Sequence, residues 1–275
     1  MIKVHLRGRM GNQMFQYAFA HIVAKKHRTL FWLGTNDVKF DLLWFDLGIP
    51  YRFLDIPWLF KAYNFLQKFV CPTNTLDFSD STKQFPENTF HDNTCYKGYF
   101  QYAYLMENYR NELSVLFTPK KKIASLFKAK FHGTISSHKI LVISLRLGDY
   151  HQYQLTEYDS ASIIVPISWY KSIIAEIPNI TLYKTFVISD DIEDARKQTA
   201  DFLSDAVYVD EHPNIQFQLL MHADIAVLSN STFAWWGGFL NLRPNSRIIA
   251  PKYFLGFNVQ KEFPAGITTS YFEWK

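Results

Sequence analysis

Between residues 140 and 250 the chain alternates between short apolar runs of strand type and longer runs of helical type. That alternation narrows the available folds more than any other feature. Strands are expected at 140–146, 182–188, 206–209, 225–229 and 247–250, with helices near 168–177, 192–203, 214–223 and 232–241. Lys139-Ile-Leu-Val-Ile143 is typical, a continuous apolar run of the kind a buried strand carries. Regular strand–helix alternation predicts a parallel sheet with helices on both faces. The N-terminus opens the same way, with a strand at 2–6 and a helix at 12–27, and then becomes irregular through 34–98. The polar stretch Phe131–His138 is the best boundary candidate. Three segments follow: an N-terminal domain at 1–135, a second domain at 136–258, and a tail at 259–275 expected to pack back on the first half.

At 275 residues and 48% hydrophobic content the chain can bury a substantial core, as two modest domains or one large one. A net charge of +4 is too mild to argue for nucleic acid. Cys71 and Cys95 are the only cysteines, which suits a reducing compartment and excludes a disulfide framework. No zinc-type Cys/His spacing occurs. No signal peptide is visible, and no run of about 18 apolar residues is free of charge. Lys120, Lys121, Lys122, Lys128 and Lys130 cluster around Ile123, Leu126 and Phe127. An ordinary solvated helix with one packed face is the favoured reading, and a membrane-surface helix over Lys120–Lys130 is the alternative.

Four segments carry residue types suited to chemistry. Ser144-Leu-Arg146-Leu-Gly148-Asp149-Tyr150 ends a strand with a cation and a carboxylate, at the carboxyl edge where open α/β sheets bind ligands. Arg146 offers a planar fork of donors for phosphate oxygens, and an Arg–Asp pair closing a surface turn is the plainer alternative. Arg7-Gly-Arg-Met-Gly11-Asn12-Gln13 joins a strand to a helix and sets polar groups at a helix N-terminus. Ser189-Asp190-Asp191 ends another strand; its carboxylates suit a base or ribose, or the capping of the next helix. Ser229-Asn230-Ser231-Thr232 runs into Trp235-Trp236-Gly-Gly, and its hydroxyls suit an N-cap or a diphosphate cradle, with the tryptophans read as core.

Taken in order, these segments resemble the alpha-1,2-fucosyltransferase family, glycosyltransferase family 11, of bacterial type. The family's G-x-x-G-N-Q-M-F-Q-Y-A start is matched at Gly8–Ala18, and its S-N-S-[ST]-F-[SA]-W-W-G element at Ser229–Gly237. Its S-D-D strand end falls at Ser189–Asp191, G-Y-F-Q at Gly98–Gln101 and I-A-P-K at Ile249–Lys252. H-x-R-x-G-D-Y is matched at Ser144–Tyr150 with one departure, Ser144 in place of His.

The resemblance implies a GT-B-like α/β fold, two Rossmann-like halves facing a central cleft. It implies an inverting galactoside alpha-1,2-fucosyltransferase of carbohydrate biosynthesis, moving L-fucose from GDP-L-fucose to a glycan hydroxyl, O2 of a galactose. Alternatives are a transferase of another GDP-deoxysugar, or a non-catalytic nucleotide-sugar or glycan-binding homologue. GDP-L-fucose is donor substrate; no cofactor and no metal are expected. Arg146, Asp149 and Asn12 are the expected catalytic residues. The substrate-binding set is His5, Gly11, Gln13, Ser144, Tyr150, Asp190, Asp191, Asn230, Ser231 and Thr232. Some of the aromatics, 17% of the chain, are expected to line a sugar cleft and most to be core. The expected partners are a GDP-sugar and an oligosaccharide or lipid-linked glycan. The expected location is a bacterial cytoplasm, with Lys120–Lys130 as a peripheral contact to the inner face of the plasma membrane, in a chain lacking an N-terminal anchor.

Overall fold

The computed structural model describes residues 1–35, 38–153 and 162–275. The chain forms two compact units. Met1–Lys121 and Pro264–Thr269 make the first; Lys122–Phe263 and Ser270–Lys275 make the second.

The first unit is built on β1 (Ile2–His5), α1 (Met10–Lys26), β2 (Phe31–Gly34), α2 (Pro57–Leu66), β3 (Asn74–Phe78), β4 (Thr94–Gly98), α3 (Ala103–Asn108) and α4 (Arg110–Leu116). Its four strands are all parallel, in the order β2-β1-β4-β3. Because β2 and β4 flank β1, the strand order reverses between β1 and β4, the kind of carboxyl edge at which open α/β sheets bind ligands. Helix α1 is buried on nearly every side, from Met10 through Ala24, which is why it lacks an amphipathic stripe.

Aromatics fill the space around α1. Tyr17 meets Phe31, Tyr51 and Phe117 edge-on, and Phe19 stacks on Phe100 with centroids 3.8 Å apart. The buried phenols are satisfied: Tyr17 donates to the Leu47 carbonyl, and Tyr51 to that of Phe31 at 2.6 Å. Much of the aromatic content is thus core.

Two strands lie inside the stretch expected to be irregular. β3 is an edge strand with mostly exposed side chains, and β4 carries Thr94 and Lys97 among its five residues. Neither shows the apolar run that betrays a strand buried on both faces, so the sequence pattern passes over them.

The second unit contains α5 (Lys121–Ser137), β5 (Lys139–Leu145), α6 (Ile167–Ala175), β6 (Tyr183–Ser189), α7 (Ile192–Thr199), β7 (Val207–Tyr208), α8 (Pro213–Met221), β8 (Ile225–Val227), α9 (Thr232–Phe239), β9 (Arg247–Ala250) and β10 (Glu273–Trp274). These strands form a six-stranded parallel sheet ordered β10-β9-β8-β5-β6-β7. Strand–helix alternation therefore produces the expected parallel α/β layer. The chain winds outward from β5 through β6 and β7, then returns to the other side of β5 with β8. The topological switch point falls between β5 and β8.

Leu141, Ile143, Leu145, Val187, Ile225, Val227 and Ile249 make the sheet's contribution to one buried cluster. Trp235 and Trp236 are wholly buried in α9, as core tryptophans. The apolar side of α5 is also packed: Ile123, Phe127 and Ile135 are buried, Phe127 lies against His222, and Phe131 meets Phe186 edge-on. The basic segment is an ordinary packed helix, and its Lys130 pairs with Glu211.

Candidate active site

Strand register creates the central cluster of the second unit. Leu145 pairs with Ser189 across β5 and β6, so Arg146 and Asp190 leave the sheet side by side. Arg146 Nη1 lies 3.2 Å from Asp190 Oδ2, and its Nη2 lies 2.7 Å from Asp149 Oδ1. The guanidinium carbon sits 5.1 Å from the Tyr150 ring centroid, within cation–π range. The Tyr150 hydroxyl donates to the Asn230 carbonyl at 3.3 Å. Arg146, Asp149, Tyr150, Asp190 and Asn230 thus form one connected group at the switch point.

The fork of Arg146 is oriented from two sides but not exhausted. Guanidinium carries five N–H donors, and the two carboxylates engage only some of them. Its Nε is buried with no hydrogen-bond partner among the described residues. Asn230 is similar: its Nδ2 donates to the Ile163 carbonyl at 2.7 Å, while its buried Oδ1 accepts from no described group. A buried donor and a buried acceptor left open in one cluster suit a polar ligand.

Asp190 has a second attachment, accepting from Leu147 N–H through Oδ1 at 2.9 Å. Gly148 is required by this contact, since a β-carbon there would stand 2.6 Å from Asp190 Oδ2. A base or ribose was the ligand expected for Asp190; the structure places its carboxylate on Arg146 and the Leu147 amide. The neighbouring Asp191 caps α7, its side chain accepting from Asp194 N–H at 3.0 Å. Ser231 caps α9 in the same manner through Ala234 N–H at 3.1 Å, and Thr232 is that helix's first residue. Both caps satisfy orphan amides at a helix start.

Ser144 is almost fully buried at the end of β5, with its hydroxyl 3.4 Å from that of Ser229. Its carbonyl accepts from the Tyr170 hydroxyl at 3.1 Å. Burial pushes the Tyr170 phenol far above its ordinary pKa, so it remains a donor at any working pH. Neither Ser229 nor Tyr170 stood out as a partner in the sequence. Ser229 carried a signal, the first hydroxyl of the Ser-Asn-Ser-Thr turn; Tyr170 sits in a helix with none.

The first unit has its own polar cluster at the carboxyl edge of β1 and β4. Asn12 Oδ1 accepts from Gln101 Nε2 at 3.0 Å, joining the glycine turn to the residues after β4. Gly8 adopts φ +70° in that turn, and a β-carbon on it would lie 2.4 Å from Asn12 Nδ2. His5 ends β1 in register with Gly34, whose β-carbon would lie 3.0 Å from His5 Nδ1. Gly11 is buried in the first turn of α1.

Gln13, expected to bind ligand, is engaged within the fold. It is fully buried, donates to the Gly8 and Lys39 carbonyls at 3.0 and 2.8 Å, and accepts from Asp41 N–H at 2.8 Å. Its amide fastens the glycine turn to the 39–41 loop. Gln16 works alike, accepting from Arg7 N–H and donating to the Gly98 carbonyl, both at 3.0 Å. Gln101 was not among the expected site residues, although the Gly-Tyr-Phe-Gln match contains it.

The family model for glycosyl transferase family 11 matches residues 1–262. The O-antigen biosynthesis glycosyltransferase WbnK of Escherichia coli is 25% identical, over 93% of this chain and 96% of that protein. Among solved structures, fucosyltransferase NodZ from Bradyrhizobium superposes with a TM-score of 0.51 at 13% identity, covering 88% of this chain and 92% of that one. NodZ alpha-1,6-fucosyltransferase co-crystallized with GDP has the same score and identity, over 88% and 91% of the two chains. The folds agree at the level of the GT-B fucosyltransferases. With an Arg-centred cluster at the switch point of a parallel sheet and a family model matched from the first residue to position 262, this chain belongs to glycosyl transferase family 11.

Proposed function

We propose that this protein transfers L-fucose from GDP-L-fucose to a glycan hydroxyl, O2 of a galactose, with inversion at the anomeric carbon. The observation that carries this reading is the braced guanidinium of Arg146 at the strand ends of the switch point, its buried Nε–H without a partner among the described residues. It is supported by the ordered motifs, and by a protein of the same fold having been co-crystallized with GDP.

In the reaction the bond from the sugar's C1 to the diphosphate oxygen breaks as the acceptor oxygen bonds to C1. The proton of the acceptor hydroxyl passes to solvent, and the electron pair of the broken bond leaves with GDP. Negative charge therefore grows on the diphosphate, and a preorganised cation there lowers the barrier. Arg146 takes that role. Asp149 and Asp190 hold its fork in place before the donor arrives, so little reorganisation is left for the chemical step. The α9 N-terminus, with Ser231 and Thr232, assists at the diphosphate. His5, Gly11 and Asn12 are the first unit's candidates for binding the acceptor. The relation to an O-antigen transferase makes a bacterial polysaccharide repeat unit the acceptor class to try first.

The test is GDP release from GDP-fucose and a galactose-terminated acceptor, across a panel of GDP-sugars, for wild type and Arg146→Ala. Turnover is expected with GDP-fucose alone. Arg146→Ala should lose on the order of 3 kcal/mol of transition-state stabilisation, about a hundredfold or more in kcat. Release with a different GDP-deoxysugar would reassign the donor, and near wild-type kcat in the variant would remove Arg146 from the diphosphate.

A further inference from the structure

Helix α2 is apolar on both of its faces, and only one of them is used by the fold. The inward face is fastened to β2. The Tyr63 hydroxyl accepts from Leu33 N–H at 2.7 Å and donates to the Leu33 carbonyl at 2.9 Å, while buried Gln67 donates to Thr35 Oγ1 at 3.2 Å. Phe60 stacks on Phe40 with centroids 6.1 Å apart. These bonds fix the helix rotation, so the outward face is not a misplaced core face.

That outward face carries Trp58, Ala62, Phe65 and, one turn beyond the helix, Phe69, at the 4-3-4 spacing of a helical stripe. Trp58 is 68% exposed, Phe65 60% and Phe69 70%, with Leu66 beside them also exposed. The Phe65 and Phe69 rings touch edge-on at 5.2 Å, so these two make one surface at the end of the stripe. Large clustered aromatics in water are a standing cost, and patches of this kind mark interaction sites.

Charge selects the occupant. From Ile56 to Leu76 the chain contains no Asp or Glu, and its only charged residues are Lys61 and Lys68. Both lysines are exposed, and neither forms an ion pair among the described residues. A two-fold pairing of this surface with a second copy would set the lysine-bearing patch against itself, leaving like charges opposed and unanswered. An anionic lipid surface answers both halves of the pattern. Trp and Phe side chains enter the headgroup–acyl boundary, and flanking lysines meet lipid phosphates.

We propose that α2 and the turn after it form a peripheral membrane-docking element, lying in the plane of an anionic bilayer with Trp58, Phe65 and Phe69 inserted and Lys61 and Lys68 at the headgroups. The element differs from the basic segment Lys120–Lys130, whose helix α5 turns Ile123, Phe127 and Ile135 into the fold. No helix among the described residues is long and apolar enough to cross a membrane, so the contact is one of docking. The inference is independent of which sugar the enzyme transfers.

The full chain is to be sedimented with vesicles of phosphatidylcholine alone and with vesicles of phosphatidylcholine and phosphatidylglycerol. Wild type should pellet with the anionic vesicles and less with the neutral ones, and binding should weaken as salt rises. Trp58→Ser/Phe65→Ser/Phe69→Ser should lose at least about tenfold in the partition coefficient. Lys61→Glu/Lys68→Glu should lose the preference for anionic vesicles. All these positions are exposed, and circular dichroism with a thermal midpoint checks that each variant is folded. Wild type remaining in the supernatant with anionic vesicles at low salt would overturn the proposal, as would a folded triple variant that pellets like wild type. A wild-type dimer that the triple variant converts to monomer, seen by light scattering and without vesicle binding, would instead assign the face to a second copy.

Discussion

Gly148 and Ser144 show how much of the cluster around Arg146 depends on what a single side chain leaves room for. At Gly148 any β-carbon would meet Asp190 Oδ2 at 2.6 Å. Asp190 cannot swing away without giving up both Leu147 N–H and Arg146. Gly148→Ala should therefore loosen the guanidinium's brace, costing about 1–3 kcal/mol in stability for a disrupted charge-assisted hydrogen bond and lowering kcat more than it raises KM. Steady-state kinetics and a urea melt check this; an alanine variant matching wild type in both would show that Asp190 is not needed where it stands. At Ser144 the hydroxyl faces Ser229 inside the sheet and is hidden from solvent. Ser144→Ala should then cost only about 1 kcal/mol for one neutral hydrogen bond, with kcat reduced far less than by Arg146→Ala. A loss equal to that of Arg146→Ala would make this serine a direct contact of the donor. The family's His, replaced here by Ser144, also leaves this position without a group that titrates near neutral pH.

At the scale of elements, β5 to β9 and α6 to α9 follow the pattern read from the residues, their ends coinciding or differing by at most four positions, while β10 lies outside that pattern. β3 and β4 escaped because an exposed edge strand and a short, partly polar one lack the apolar continuity that identifies their neighbours. The helices pose a different problem. A stripe of apolar residues announces a packed face, as in α5, but α2 carries apolar residues on two faces, and periodicity cannot say which one the sheet will take. The end of α8 yields a prediction in pH. His222 follows that helix, its Nδ1 sharing a hydrogen bond with the Gln218 carbonyl at 2.8 Å and its ring against Phe127. Burial holds its pKa below the usual histidine value, with Arg243 and Lys128 adding repulsion. The unfolded chain then takes up the proton first, at about pH 6.5, so stability should fall as pH drops through that value until the folded imidazole also protonates. Thermal midpoints between pH 8 and 5 should decline for wild type and flatten for His222→Gln; equal slopes would mean this imidazole pays no part of the acid sensitivity.

For the whole molecule, both units repeat one device, a parallel sheet whose strand order reverses beside its central strand, with polar residues at the carboxyl edge. In the second unit that edge carries a braced guanidinium and a capped helix start, and under the proposed function the two would stabilise an anionic leaving group where other transferases use a divalent cation. We therefore expect activity to survive a chelator. GDP release in excess EDTA should match the untreated enzyme, and restoration by magnesium or manganese of activity lost to EDTA would contradict it. The chain also crosses between the units near its end, Pro264–Thr269 belonging to the first and Ser270–Lys275 returning to the second. There Ala103 N–H donates to the Gly266 carbonyl at 2.7 Å, and Glu273 forms a two-point pair with Arg247 at 2.8 Å on each bond. No sequence pattern marks those residues, because each holds its place through a partner far away in the chain.

By itself the sequence determined the parallel α/β class of the second unit, its helix order, and the ordered motifs of the family, since periodicity and short motifs are written in neighbouring residues. Which motif residues face one another was decided only by tertiary structure. Arg146 and Asp190 stand together because Leu145 and Ser189 pair across two strands, and Asn12 reaches Gln101 because β1 lies beside β4. Gln13 was decided there too: its type and place suited a ligand, but the fold closes three hydrogen bonds around it. Strand register is a property of distant segments meeting, and local composition does not encode it.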